Sequence, residues 1–296
     1  MSAGPKKFRF EVTKEDSGRR LDQVLADRVP GLSRRKARTL LDIGGVFVDA
    51  ARVKIAGKTV FAGQFIEAVL GGALDRASSG TGKAARAKDD AALPDYRVVH
   101  EDGAIVVVDK PAGLLTAPTP ESDRGNLAGL LERRYGKIFV VHRIDLETSG
   151  LLVFARTAEA NKILSAKFAD HDLVREYLSI VQGRAPDDIG TVDYPVNEKR
   201  AVTHFKVERR FGELATEVRA TLETGRTHQI RIHCRVRGYP VAGDRVHGTP
   251  NAAIAPPRMA LHATRLGIAH PGTKAPLEFT SPWPKDLADW IATLPA

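Results

Sequence analysis

The chain has 296 residues, 43% of them hydrophobic, enough for about two domains with packed cores. A formal net charge of +9 points to a polyanionic partner, nucleic acid above all. The single cysteine, Cys234, excludes an internal disulfide and suits the cytoplasm; no apolar run reaches the ~18–20 residues of a membrane span, and the Met1–Arg9 start lacks the apolar stretch of a secretory signal.

The basic excess is concentrated at the front. Residues 1–70 hold 14 Lys and Arg against 8 Asp and Glu, +6 of the +9. Phe8–Val12 alternates as a strand. Leu21, Val24, Leu25 and Val29 then recur at helical spacing, and Pro30-Gly31 stops that helix. Ser33 is a good N-cap for a second helix with Ala37, Leu40 and Leu41 inward, ended by Gly44-Gly45. Val46–Val48 and Val53–Ile55 read as a strand pair around Asp49-Ala50, followed by a strand at Phe65–Val69. Two short helices followed by small strands, with Arg20-Leu21-Asp22, Ser33-Arg34 and Gly45–Val48 in place, resemble the RNA-binding module of ribosomal protein S-four. The usual Asn-Gly turn is Asp49-Ala50 here. The resemblance implies that Arg20 and the cluster Arg34, Arg35, Lys36 and Arg38 contact RNA phosphates; the bland alternative is a solvated helix face.

Residues 71–92 are rich in Ala, Gly, Ser, Lys and Arg, with Leu74 the only large apolar side chain, which predicts a flexible basic linker. Lys83, Arg86 and Lys88 in it are candidate RNA contacts. A second domain over 93–296 follows. Its predicted strands are Tyr96–Val99, Ala104–Val108, Ile138–Val141, Leu151–Ala155, Arg175–Val181, Phe205–Arg209, Thr216–Leu222, Met259–Ile268 and Ala275–Phe279. Its predicted helices are Asn126–Tyr135, one from the Thr157 N-cap to about Asp170, and one that Thr227 caps and Gly238 ends. Strands outnumber helices and meet mostly by hairpins, so the class is α+β: a mixed, largely antiparallel sheet behind a small N-terminal α/β module.

The densest polar stretch is His142-Arg143-Ile144-Asp145-Leu146-Glu147-Thr148-Ser149-Gly150, set against the apolar run Leu151–Ala155. A polar loop braced by a buried strand is where reactive groups tend to sit. The stretch His-Arg-Ile-Asp-Leu-Glu-Thr-Ser-Gly-Leu-Leu resembles the catalytic motif of the RluA-type pseudouridine synthases, departing only at Ile144. Lys110-Pro111-Ala112-Gly113-Leu114 resembles the family's first motif, though Thr116-Ala117-Pro118 stands where a Val-His-Pro is usual. The resemblance implies an enzyme that isomerises specific uridines of RNA, most naturally large-subunit ribosomal RNA, without a cofactor and after flipping out the target base.

The residues can support that chemistry. An aspartate is ionised at neutral pH and can attack an electrophilic carbon without an activating base. The resemblance makes Asp145 this nucleophile, Tyr177 the aromatic partner of the base, and Arg231 the basic partner of the aspartate. Whether the aspartate attacks ribose, attacks the base or removes a ribose proton stays open. Arg143 matches a residue that enters the RNA stack. His142, Arg226, His228 and Gln229 are assigned to substrate binding, with a loop-bracing role open for His142 and a structural one for Arg226. Gly150 fits a tight turn or close packing. Competing chemistry is thin. His228 and His233 are five apart without the acidic residue of a zinc protease, so no metal site is expected. Asp145 and Glu147 share one loop, unlike the separated carboxylates of a glycosidase. Neither Gly44-Gly45 nor Gly71-Gly72 has the setting of a phosphate loop. The other readings are a non-catalytic RNA-binding or ribosome-assembly protein, and a synthase for transfer RNA. The partner expected throughout is RNA, with no membrane, and the protein a monomer.

Overall fold

The computed structural model describes residues 5–78, 93–119 and 125–295. The chain divides into two units: Met1–Leu93 with Ala117–Gly129, and Pro94–Thr116 with Leu130–Ala296. The expected single cut at 71–92 therefore differs from this division, which places 117–129 with the first unit.

In the first unit β1 (Lys6–Glu11) pairs with β4 (Phe65–Leu70), and β4 with β2 (Val46–Val48), all antiparallel. Helices α1 (Leu21–Arg28) and α2 (Arg34–Asp42) supply Leu21, Leu25, Leu40 and Leu41 to the core under this sheet. Ser33 caps α2 by accepting the Lys36 N–H. The strand after β2 is β3, Ala51–Arg52, earlier than the expected Val53–Ile55. The pair turns through Asp49 and Ala50, both with positive φ, 49° and 64°. That is the tight hairpin geometry that Asn-Gly favours; here the Asp49 carboxylate steadies it by accepting from the Phe65 N–H and the Gln64 amide. Where a polar coil is expected, α3 (Gly72–Ser78) forms, because Leu74 packs into the core. The remainder of that stretch, with Lys83, Arg86 and Lys88, lies outside the described residues.

The larger unit is built on one sheet. Its strands are β5 (Arg97–Glu101), β6 (Ile105–Lys110), β7 (Phe139–Val140), β8 (Ser149–Ala155), β9 (Val174–Gln182), β10 (Ile189–Asp193), β11 (Val202–Phe211), β12 (Ala215–Leu222), β13 (Leu261–Ala269) and β14 (Pro276–Thr280). The order is β10-β11-β12-β9-β13-β8-β6-β5, with β14 on β13 and β7 on β8. Every pairing among the described residues is antiparallel except β8 with β13, so the sheet is mixed and largely antiparallel. The other helices are α4 (Leu127–Tyr135), α5 (Ala158–Ala169), α6 (Gln229–Val236) and α7 (Lys285–Ile291). Thr157 caps α5 through the Ala160 N–H. The N-cap of α6 is His228, in the left-handed region, and not Thr227; Gly238, with φ of 85°, follows its end. Strand β10 and helix α7 have patterns too short to separate from loop in the sequence. All seven residues of β8 are buried. At Gly150 a Cβ would lie 2.3 Å from the Ala263 carbonyl oxygen, so only glycine lets β8 come this close to β13.

Candidate active site

The loop ahead of β8 is pinned from several sides. Thr116 Oγ1 donates to the Ile144 carbonyl and accepts the Ile144 N–H. The Gly113 N–H reaches the Leu146 carbonyl. Lys110, fully buried, points its ammonium at the carbonyls of Pro111, Leu114 and Leu146 at 2.9, 2.8 and 3.4 Å. Burial pushes this lysine down to about 7, against the pull of the Asp145 charge. The Lys-Pro segment and Thr116 are thus the scaffold of the aspartate loop. Of the two roles open for His142, substrate binding and loop bracing, its contacts are those of a brace. Its Nε2 accepts the Val153 N–H and its ring stacks on Phe168 at 4.3 Å. Burial and the nearby Arg175 charge take it down to about 3, so it stays neutral.

Asp145 projects from this loop into a cavity of about 660 Å³, also lined by Arg143, Tyr177, Arg226, His228 and Arg231. The volume is in the range of a small-molecule site. Arg231 comes from α6, 86 residues further along the chain, and donates from Nη1 to Asp145 Oδ2 at 3.0 Å. Its other two nitrogens form a fork on Asp244, Nε to Oδ2 at 2.6 Å and Nη2 to Oδ1 at 2.7 Å. Asp244 Oδ1 also accepts the Val246 and His247 N–H groups. Burial alone would raise the Asp244 carboxyl, but the Arg231 bond and these amides hold it below the usual range. One guanidinium therefore sits between two carboxylates, fixed by Asp244 and presented to Asp145. Asp244 was not singled out from sequence: it lies in a loop with no recurring pattern, and only its bond to Arg231 marks it.

His228 brings Nε2 to 3.7 Å from the same Asp145 Oδ2, while its Nδ1 meets His247 Nε2 at 2.8 Å. Both polar neighbours of Asp145 lie on Oδ2; Oδ1 has no hydrogen bond among the described residues. Tyr177, from β9, is 8% exposed. Burial pushes its phenol up to about 12, with Arg175 opposing and Asp145 assisting, so it stays protonated at neutral pH. It offers a ring face and a donor, not a ready proton acceptor.

Gln229, assigned to substrate binding by resemblance, is corrected here. It is buried, and all four of its hydrogen-bonding positions are taken within the protein: Thr224 Oγ1 and the Arg226 N–H on Oε1, the Val202 carbonyl and Thr203 Oγ1 on Nε2. It shapes the loop that carries Arg226. Arg226 itself is half-buried and gives Nε to the Arg200 carbonyl. Arg143 stands exposed at the rim, with no ion pair among the described residues. His233 lies in the core, bonded at both ring nitrogens by Thr203 and the Tyr194 carbonyl.

In the first unit the expected phosphate contacts fall into two groups. Arg20, Arg34 and Arg38 converge on the buried Asp22 carboxylate, at 3.1, 3.2 and 2.7 Å. Burial would raise Asp22, but the bonds from Arg38, Arg20 and Arg34 prevail and bring it to about 2. The three guanidiniums remain about half exposed, so they serve the core carboxylate with one edge and face solvent with another. Arg35 and Lys36 are exposed outright.

Comparison with known proteins gives two family matches: RNA pseudouridylate synthase over residues 104–235 and the S4 domain over residues 19–66. The chain is 34% identical over 308 residues to the ribosomal large subunit pseudouridine synthase D of Nitrosomonas europaea, covering 94% of this chain and 86% of that one. It is 33% identical over 204 residues to the dual-specificity RNA pseudouridine synthase RluA of Haemophilus influenzae, covering 64% of this chain and 93% of that one. Among solved structures, human RNA pseudouridylate synthase domain containing 4 superposes with a TM-score of 0.56 at 19% identity, over 67% of this chain and 94% of that one.

Proposed function

The chain belongs to the RNA pseudouridylate synthase family, and from that premise we propose that it isomerises uridines of large-subunit ribosomal RNA, with Asp145 as the nucleophile. The observation that carries the assignment of Asp145 is its position: one oxygen held by Arg231, the other open to the cavity. Tyr177 supplies the stacking face for the flipped base, and Arg143 at the rim takes the place the base vacates in the RNA stack. The ribosomal choice is supported by coverage. The large-subunit synthase D of Nitrosomonas europaea matches nearly the whole chain, N-terminal module included, whereas the dual-specificity relative matches 64% of it. Residues 1–70 grip the RNA backbone through Arg35, Lys36 and the free edges of Arg20, Arg34 and Arg38. Residues 93–296 carry the chemistry, joined to them through 71–92. In this reading the protein acts in the cytoplasm as a monomer.

The test compares pseudouridine maps of ribosomal and transfer RNA from a deletion strain carrying either the wild-type gene or Asp145→Asn. The expected result is one or more large-subunit ribosomal sites restored by the wild type and not by the variant. Restoration by Asp145→Asn would remove Asp145 from its role; loss of transfer RNA sites alone would overturn the ribosomal substrate.

A further inference from the structure

We propose that Arg175 is a further catalytic residue: its guanidinium binds the uracil ring and holds the negative charge that develops on it as the glycosidic bond breaks. This rests on the synthase reading above. Arg175 lies two residues before Tyr177 on β9, so both side chains leave the same face of the strand. It lines the same cavity and is 7% exposed. Yet among the described residues no carboxylate pairs with it. Its Nε has no hydrogen-bond partner, and Nη2 reaches only the Glu223 carbonyl at 3.5 Å. A cation buried without a counter-ion is costly and is normally paired within the protein. Here the surroundings make room for it. The guanidinium lies over the Phe168 ring at 5.6 Å, and a Cβ on residue 225 would come within 2.5 Å of Nη1, so Gly225 leaves it its space.

Two other buried polar atoms without partners, Thr148 Oγ1 and His171 Nδ1, belong to residues of this same cavity. Unmet polar groups gathered around one cavity mark where a polar ligand completes them. Uracil presents two carbonyl oxygens flanking an N–H, a pattern that donors such as Arg175 can meet. In the isomerisation the bond from ribose C1′ to N1 breaks and its electron pair stays with the ring. The Asp145 oxygen bonds to C1′ as N1 leaves, the ring turns, and C5 then gives a pair to C1′ as that oxygen departs; the proton lost from C5 is balanced by one gained at N1, so no co-reactant is needed. Between these bond changes the ring carries negative charge on its carbonyl oxygens. Asp145 cannot stabilise that charge, and Arg231 is committed to two carboxylates. Arg175 is a buried donor lining the cavity with hydrogen-bonding capacity to spare, a group placed to stabilise developing charge. A backbone phosphate, continuous with the chain on both sides, is poorly matched to so deep a group.

The experiment measures single-turnover conversion and RNA affinity of the full chain carrying Arg175→Met, Arg175→Lys or Gly225→Ala. Arg175→Met is expected to lower the rate at saturating RNA roughly 100-fold with affinity unchanged, and added methylguanidinium should restore part of it. Arg175→Lys should recover part of the rate, and Gly225→Ala, which displaces the guanidinium but keeps its charge, should cause a smaller loss. A wild-type rate for Arg175→Met overturns the proposal. So does weaker affinity with an unchanged rate, which would make Arg175 a phosphate contact. If Arg175→Met does not fold, wild-type rates for both other variants overturn it. Inactivity of the wild type on every RNA would remove the synthase reading itself, a separate outcome.

Discussion

The two units bury the same kind of ion cluster with opposite stoichiometry. Around Asp22, three guanidiniums share one carboxylate and the group keeps two positive charges in excess. Around Arg231, two carboxylates share one guanidinium and the group keeps one negative charge. The first surplus faces solvent on half-exposed arginines, where it can meet phosphates. The second rests on Asp145, the less buried of its two carboxylates, which faces the cavity. An ion cluster in a protein core is therefore not merely glue: the sign left over says what kind of group it is prepared to meet.

The largest effect should come from removing the cation of the negative cluster. Arg231→Met leaves Asp244 buried without its partner, so a stability loss of about 3–5 kcal/mol should accompany a rate loss of at least ~100-fold. Calorimetry beside single-turnover kinetics checks both. Asp145→Asn should lose the activity without that destabilisation; equal destabilisation by both would dissolve the distinction between the fixed carboxylate and the reactive one.

The exposed cations of α2 that neighbour the positive cluster in sequence should show themselves through salt. Replacing Arg35 and Lys36 with Ala removes two fully solvent-facing cations and should flatten the log–log salt dependence of RNA binding by roughly 1.4–1.8, at 0.7–0.9 per contact. An unchanged slope would reduce the helix to a solvated face.

Acid should act on Asp22. Its carboxyl is held at about 2 in the folded chain, below the ~3.9 of an unfolded one. A depressed carboxylate stabilises fully above about pH 4, and that contribution is lost as pH falls through about 2. Thermal melts between pH 5 and 2 should show the decline in the wild type and a weaker one in Asp22→Asn. The smallest effect concerns the turn between β2 and β3 in the same unit. Ala50→Gly removes a left-handed alanine and should stabilise the first unit by about 1 kcal/mol. If the units melt separately, only one transition should move.

Much of this was legible in the sequence because it is local. The polar loop before an apolar run, the Ser33 and Thr157 caps and the alternating hairpins are all read from near neighbours. The relation of Arg231 to Asp145 spans 86 residues and came from resemblance; that Arg231 is forked onto Asp244 came from nothing in the pattern. Gln229 shows the opposite failure. It sits inside the resembling motif and was assigned outward, yet a loop that turns through a left-handed His228 sends its amide inward. Arg175 was visible as a residue two before Tyr177, but a missing partner cannot be seen in a string of letters. Helix α3 was hidden by a composition that one well-placed leucine outweighs.

The contact at Gly150 sets how the aspartate loop can move. With the Ala263 backbone where a side chain would be, there is no slack between β8 and β13. Displacement of one strand is handed to the other without loss. The loop carrying Asp145 is a surface segment in composition, yet it runs directly into β8, which is buried along its whole length. The amide protons at 149–151, where β8 takes over from that loop, should therefore exchange on the slow clock of whole-domain unfolding and not on the fast one of loop fraying.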